Sequence, residues 1–153
     1  MKPGLNLTQF PKIYQSKTIS IVVPKGTNNK SPIFFDFDSI IDNSIIRGVQ
    51  FEPLTNIKNA SLLPNSVVAD ISDAKTAVIS LVNKHDDTII NNYPVNGLFI
   101  YPKNDSASPR HTKMMKRFFL EIILGKCYLI WTGGTTANNL YFYFTFYYEA
   151  KKE

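Results

Sequence analysis

The sequence predicts an all-β protein, an antiparallel β-sandwich with the topology of a single jelly roll of about eight strands. Short segments of about five to nine residues alternate apolar and polar side chains, as strands do. Clusters of Gly, Pro, Asn, Asp and Ser separate these segments at regular spacing. Almost no segment shows the 3.6-residue period of an amphipathic helix, which excludes most other fold classes.

The clearest strand is the predicted segment Leu140–Tyr148, which carries aromatic residues on both faces. One side consists of residues suited to a core: Leu140, Phe142, Phe144, Phe146 and Tyr148. The other side consists of Tyr141, Tyr143, Thr145 and Tyr147. An exposed, uncharged aromatic strand would aggregate, so this strand is expected inside a sheet rather than at a free edge. Its tyrosine side is interpreted as covered either by the same chain or by another subunit.

Earlier alternating segments predict the remaining strands and their inward faces. In the segment Ile33–Asp38, the side chains of Ile33, Phe35 and Phe37 are expected to point inward and those of Asp36 and Asp38 outward. In the segment Ile45–Glu52, the side chains of Ile45, Val49 and Phe51 are expected on one side together with Arg47. The predicted segments are Thr18–Val23, Ile33–Asp38, Ile45–Glu52, Val67–Ile71, Thr76–Val82, Thr88–Ile90, Gly97–Tyr101 and Lys126–Thr132.

The segment Lys113–Leu124 fits two interpretations. Lys113, Arg117 and Glu121 fall at helical spacing. Alternation of Phe118, Leu120, Ile122 and Leu124 instead indicates a strand that turns at Gly125. The strand is favoured because two further strands follow, but the helix stays open.

The domain organisation is expected to be a single β domain over residues 17–153, preceded by an extended arm over residues 1–16. The arm contains Pro3, Gly4 and Pro11 and has no periodicity. Its apolar residues Phe10, Ile13 and Tyr14 are candidates for contact with a neighbouring subunit or with the flank of the same domain. A chain of 153 residues can bury a sizeable core without disulfides or metals.

Composition excludes several functional classes. The single Cys127 excludes an internal disulfide framework and a cysteine zinc site, and its apolar surroundings favour an inert thiol. Neither a signal peptide nor an apolar run long enough to span a membrane is expected. The net charge of +5 is modest and mostly dispersed.

Searching for catalytic or metal-binding patterns gives weak candidates. His85 and His111 lie in loop-like segments without an accompanying nucleophile motif. Asp36 and Asp38 have a spacing compatible with calcium binding or glycoside hydrolysis, and Asp86/Asp87 form a second acidic pair beside His85. A solvated strand face and a polar turn explain them more simply. We therefore expect no enzyme activity, no small-molecule substrate, no cofactor and no metal site.

One basic cluster stands out from the dispersed charge. Arg110, Lys113, Lys116 and Arg117 concentrate positive charge in and after the loop-like segment Pro102–Thr112. A solvated loop is the simplest interpretation, and membrane headgroups or nucleic acid are the partners considered for it.

Three functional hypotheses remain: an assembling structural subunit, a carbohydrate- or receptor-binding β-sandwich module, and a β-sandwich hydrolase using the acidic pairs. The strand number, the extended arm and the aromatic last strand resemble single jelly-roll capsid proteins, namely the vertex (penton) and minor capsid proteins of tailless icosahedral bacteriophages with internal membranes. This architectural resemblance covers about residues 17–149. It implies a symmetric ring of subunits, with a pentamer favoured by analogy. It further implies contact with a major capsid protein, and a location in the virion after synthesis in the host cytoplasm.

Overall fold

The computed structural model describes residues 15–53, 64–98 and 120–151, which are mostly β. The strands are β1 Gln15–Val23, β2 Ile33–Phe34, β3 Ser44–Glu52, β4 Ser66–Val68, β5 Ala77–Val82, β6 Thr88–Pro94, β7 Tyr128–Trp131 and β8 Asn139–Ala150. Two one-turn helices, α1 Ser39–Asp42 and α2 Ile71–Ala74, and two 3₁₀ turns, Val95–Leu98 and Leu124–Lys126, accompany them.

The first sheet is organised around β8. Antiparallel pairing places β1 along one edge of β8, with Gln15 opposite Tyr148 and Val23 opposite Leu140. The other edge pairs with β3 in the antiparallel sense and with the short β4 in the parallel sense. The last aromatic strand is therefore interior to a sheet, as predicted. The parallel pairing of β4 is a departure from the expected purely antiparallel arrangement.

The second sheet has the strand order β2–β7–β5–β6, and all its pairs are antiparallel. Beyond β3 of the first sheet, Leu120 forms an isolated antiparallel bridge with Ile46. The two residues exchange both backbone hydrogen bonds, at 2.7 and 3.1 Å. This bridge extends the first sheet past β3, on the side away from β8.

Side chains from both sheets form one hydrophobic core. The five predicted inward residues of β8, from Leu140 to Tyr148, are all buried. Phe144 packs edge-on against Phe35 and tilted against Phe51, with ring centroids 5.8 and 5.9 Å apart. Phe142 packs edge-on against Trp131 of the second sheet, with ring centroids 6.3 Å apart. Burial of an aromatic residue of this kind stabilises the fold by about 1.5–3 kcal/mol.

The inward face predicted for β3 is correct only in its second half. Val49 and Phe51 are buried as expected, but Ile46 is fully buried and Ile45 is not. The register with β8 shifts between Ile46 and Gly48, which marks a β-bulge. A bulge inserts one residue and reverses the alternation, so Ile45 and Arg47 do not share the face of Val49.

The segment after the first loop differs more from its prediction. Regular pairing in β2 ends at Phe34, and four residues later Asp38 caps α1 by accepting a hydrogen bond from the Ile41 N–H at 3.0 Å. Phe35 is buried, but Phe37, expected inward, is 73% exposed. An N-capping carboxylate redirects the backbone, so the strand alternation does not continue to Asp38.

Three other boundaries are corrected. Strand β4 ends at Val68, and Ile71, predicted in the same strand, opens α2 under a capping box from Asp70 and Asp73. Strand β6 runs unbroken to Pro94, where an interruption at Asn91 was predicted. The predicted strand at Gly97 is not formed there, because Gly97 and Leu98 belong to a 3₁₀ turn.

The remaining boundary predictions concern β1, β7 and two segments that lie wholly or partly outside the described residues. Strand β1 contains the predicted Thr18–Val23 and begins at Gln15. Strand β7 is shorter than predicted, since Lys126 belongs to a 3₁₀ turn that also contains Gly125. Residues 113–119 of the predicted segment Lys113–Leu124 lie outside the described residues, as do residues 1–14 of the predicted arm. Residues 120–124 form no strand beyond the bridge at Leu120 and end in the 3₁₀ turn, and Gln15 and Ser16, which were predicted in the arm, belong to β1.

Candidate assembly surface

The outer face of the first sheet carries the predicted tyrosines. Tyr141, Tyr143 and Tyr147 alternate with the buried residues of β8 and are each partly exposed. The rings of Tyr141 and Tyr143 stack on one another, with centroids 6.5 Å apart and planes inclined by 25°. Their partners across β1 are the small residues Val22 and Ser20, which leave the rings accessible. The result is an aromatic surface with hydroxyl groups at its outer end.

A hydrogen-bonded row crosses this face from β1 to β3. Thr145 Oγ1 donates to Glu52 Oε2 at 2.6 Å and lies 2.9 Å from Thr18 Oγ1. Gln50 contacts the same carboxylate at 3.4 Å and accepts from the Tyr147 hydroxyl at 3.4 Å. These hydrogen bonds join β1, β8 and β3, and they hold in place the polar side chains that lie between the tyrosines. No pattern in the residues pointed to Glu52 or Gln50, because their role depends on the strand register.

Burial affects the ionisation of two of the tyrosines. It raises the pKa of the Tyr143 phenol, and the neighbouring Tyr141 adds to this effect. It also raises the pKa of Tyr147, where the Glu52 carboxylate is the second cause. Both hydroxyls are therefore neutral hydrogen-bond donors at physiological pH.

A groove of about 220 Å³ lies beside this face, where edge strand β1 meets the segment after β2. Its lining combines hydroxyl, carboxylate and aromatic groups: Ser20, Val22, Ile33, Phe34, Asp36 and Tyr141 are the principal residues. Asp36 is exposed and has no hydrogen-bond or ion-pair partner among the described residues. Phe34 is 55% exposed and touches Tyr128 edge-on at 5.6 Å.

Two further exposed apolar residues lie just before α1 and in its first turn. Phe37 and Ile40, which we call the α1 patch, are 73% and 47% exposed, while Ile41 between β2 and β3 is fully buried. Exposed large apolar side chains close to one another indicate an interaction site more often than isolated ones do. The strand pattern hid this patch, because it assigned Phe37 to the core.

The predicted acidic pairs do not form a shared site. Asp38 accepts from Lys17 Nζ at 2.5 Å and caps α1, whereas Asp36 faces the groove. Burial opposes ionisation of Asp38, but the Lys17 ammonium and the Ile41 N–H outweigh it and hold the pKa below its usual value. Asp86 binds Lys126 at 2.7 Å in an exposed turn. No cluster of three or more metal-ligating side chains occurs within residues 15–53, 64–98 and 120–151.

The remaining candidates have mixed outcomes. His85 is exposed in the turn between β5 and β6. Cys127 is fully buried, and burial raises the pKa of its thiol to about 12. The candidate interface residues Phe10, Ile13 and Tyr14, the basic cluster Arg110, Lys113, Lys116 and Arg117, and His111 lie outside the described residues.

No helix in the described part of the chain is long and apolar enough to cross a membrane. Comparison with protein-family models, with curated proteins and with solved structures found no match.

Proposed function

We propose that this chain is a viral structural protein, a vertex (penton) or minor capsid subunit with a single jelly-roll β-sandwich, which assembles by lateral packing and through its N-terminal arm. The proposal assigns it a role in assembly and no enzymatic activity. The observation that carries it is the order of the strands in the two sheets.

A jelly roll of eight strands places strands one, eight, three and six in one sheet and strands two, seven, four and five in the other. In this proposal β1, β8 and β3 correspond to strands one, eight and three, and the Leu120 bridge beside β3 marks the position of strand six. The order β2–β7–β5–β6 supplies the other sheet if β5 and β6 count as strands four and five. The short β4 is then an addition to the β3–β5 connection. Jelly rolls occur in capsid and lectin domains, so the order favours these two classes.

Of capsid and lectin domains, the surface of this chain favours a capsid domain that assembles with other subunits. Tyrosine-rich faces are enriched at protein interfaces, because the ring supplies contact area and the hydroxyl supplies a hydrogen bond. The outer face of β8 has this character along most of its length, and the α1 patch adds apolar area at an edge. Two such surfaces on one subunit allow heterologous contacts, which generate a closed ring when the rotation between neighbouring subunits closes.

In this proposal the subunits form a homo-oligomeric ring, with fivefold symmetry favoured by analogy with vertex proteins. The ring contacts the major capsid protein in the virion, after synthesis in the host cytoplasm. The basic cluster from Arg110 to Arg117 is assigned to membrane headgroups or nucleic acid on the interior side.

Electron microscopy of the purified full-length chain tests the proposal. Ring-shaped particles with a uniform subunit number are expected at micromolar concentration. Single unassembled particles at every concentration, with the N-terminal segment verified as intact by mass spectrometry, would remove the support for a capsid role.

A carbohydrate- or receptor-binding module is the second candidate, and the groove beside β1 favours it. Sugar sites combine an aromatic face with a few polar groups that fix orientation. Tyr141, Ser20 and Asp36 supply such groups around the groove. Glycan-array binding that is lost in Asp36→Ala and retained in Asp87→Ala, a matched exposed carboxylate in a turn, would favour this function over the first.

A further inference from the structure

Strand β1 forms an edge of the first sheet, and within the described ranges its only strand partner is β8. The direction of its backbone groups follows from the pairing of β8. The carbonyl of Tyr141 accepts a hydrogen bond from the Ala69 N–H at 2.8 Å, on the edge of β8 that faces away from β1. Tyr141 therefore makes no backbone hydrogen bond to Val22, its partner on β1. Val22 directs its own N–H and C=O away from the sheet.

The alternation of an antiparallel pair extends this assignment along β1. The residues whose backbone groups point outward are Ser16, Thr18, Ser20 and Val22. The hydroxyls of Thr18 and Thr145 lie 2.9 Å apart, which agrees with the closer side chains of a pair without backbone hydrogen bonds. Within residues 15–53, 64–98 and 120–151, these outward groups have no backbone partner. The edge of β1 thus presents a row of available donors and acceptors.

The outer edge of the second sheet is different, because it is protected against pairing. Strand β6 ends at Pro94, contains Asn92 in a left-handed conformation with φ 48°, and shifts its register with β5 twice. Prolines and bulges block strand edges in this way. Strand β1 has nine residues in continuous register with β8, no proline or glycine, and one charge, Lys17, which is paired with Asp38. An edge of this kind is suited to receive a strand from another chain.

The groove beside this edge indicates what such a strand carries. Its lining includes Ser20 and Val22 of the edge, the aromatic residues Phe34 and Tyr141, and the Asp36 carboxylate. Asp36 is exposed and has no partner within the described part of the chain. A carboxylate together with aromatic rings attracts a cation. Lysine or arginine fits both features, since its stem is apolar and its end is charged.

We propose that an extended segment of a partner protein pairs with the outer edge of β1 as an added strand, and that a Lys or Arg of this segment lies in the groove at Asp36. Strand β1 of a second copy would bring only Lys17, which is already paired with Asp38, and β6 of a second copy is blocked by Pro94. The added strand continues the first sheet in its plane and leaves the tyrosine face uncovered. This inference goes beyond the proposed function and does not depend on it, because a free strand edge can pair with a partner of any class.

Selection from a phage-displayed library of random dodecapeptides on the immobilised full-length chain tests the site. Enriched peptides should alternate apolar residues and contain a lysine or arginine. The most enriched peptide is then synthesised with a fluorescent label, and its binding is measured by anisotropy. Asp36→Lys should weaken this binding by about tenfold or more, because it replaces attraction with repulsion. Asp87→Lys, the same change in an exposed turn, is the matched control and should leave binding unchanged.

Strand pairing also has a signature that a contact through side chains lacks. Methylation of single backbone nitrogens in the peptide removes one donor at a time. Only alternate amides should matter, because every second N–H of an added strand faces β1. On the protein, Ser20→Pro removes an outward N–H and should weaken binding, with thermal unfolding as the check that the variant is folded. The methylation series and Asp36→Lys do not require that variant.

An alternating effect of methylation, together with weaker binding to Asp36→Lys, supports strand addition at β1. The proposal is overturned if no peptide is enriched, if Asp36→Lys binds as tightly as the wild type, or if methylation acts equally at every position. Loss of self-association in folded Ser20→Pro would overturn it in favour of pairing between copies, and binding of glycans without binding of peptides would assign the groove to the second candidate function. Ring formation is observed without added peptide, so failure here is distinguishable from failure of the capsid proposal.

Discussion

Thr145 donates its hydroxyl hydrogen to Glu52 at 2.6 Å, on the outer face of β8 between Tyr143 and Tyr147. Thr145 is itself buried, and its hydroxyl also meets that of Thr18 across the β1–β8 pair. A small hydrogen-bonding residue at this position allows the Glu52 carboxylate to lie against the sheet between the larger rings. The face is therefore fixed by polar contacts, although aromatic residues supply most of its area.

Thr145→Val should destabilise the protein, because it keeps the side-chain shape and removes the donor to Glu52. We expect a loss of about 1–3 kcal/mol in the free energy of unfolding, as for hydrogen bonds to charged groups. Urea denaturation followed by fluorescence measures it. Thr135→Val, at an exposed loop position, is the control and should change stability by less than about 0.5 kcal/mol. Equal effects of the two variants would show that the row contributes nothing.

Phe144→Ala should be among the most destabilising core changes in the first sheet. The side chain is fully buried and contacts the rings of Phe35, Phe51 and Phe142. A loss of about 3–5 kcal/mol is expected from the transferred area and the remaining cavity. Phe34→Ala removes the same atoms from a side chain that is more than half exposed, and should cost about 1 kcal/mol or less. Similar denaturation midpoints for both variants would contradict the described core.

Alkaline pH should reduce stability through Cys127. Burial raises the pKa of its thiol from the ordinary 9.0 to about 12. Between those values the unfolded chain loses a proton that the native chain retains, so stability falls by up to about 1.4 kcal/mol per pH unit. Cys127→Ala should flatten the decline between pH 9 and 10, below the range where Tyr143 and Tyr147 contribute. The same pH dependence in wild type and variant would rule out the thiol as its cause.

Acidic pH should reduce stability through Asp38. Its pKa is lowered in the folded state, so its contribution is complete above the ordinary value of 3.8 and is lost as pH falls through the lower folded value. Asp38→Asn keeps an N-cap acceptor but removes the charge paired with Lys17. The variant should therefore lose less stability than the wild type as pH falls. Asp38→Ala also removes the cap and should cost a further 0.5–2 kcal/mol, roughly, at neutral pH. Thermal denaturation at pH 3 and pH 7 distinguishes the two contributions.

The tyrosine face should matter for assembly more than for folding. Tyr143→Ser removes a partly exposed ring from the outer face of the first sheet, and Tyr128→Ser makes the same change on the outer side of β7. Only Tyr143→Ser is expected to shift the sedimentation coefficient toward that of the monomer, by weakening self-association about tenfold or more. An equal shift in both variants, or none in either, would count against this face as the contact surface.

The strand β8 was predictable because its alternation is strict and both its faces are distinctive. The face of β3 was not, since a bulge at Arg47 reverses the alternation, and the signal for it, Gly48 inside the strand pattern, does not by itself fix which residues face inward. The continuity of β6 through Asn92 depends on a hydrogen bond from its backbone N–H to the buried Ser80 hydroxyl at 2.9 Å, a partner twelve residues away. Likewise, Phe37 is exposed because the chain turns into α1 under the Asp38 cap and does not continue as a strand. A period-two pattern does not predict that turn. The tyrosines were identified in advance, but the groove and the α1 patch required the fold.

Light scattering of the full-length chain during size-exclusion chromatography tests the central claim most directly. One chain has a mass of 17.4 kDa. A subunit that assembles through the tyrosine face should elute with a uniform mass several times larger, and a fivefold ring would have five times the mass of one chain. A mass of one chain that stays unchanged as concentration rises, with the N-terminus intact, would contradict an assembling subunit.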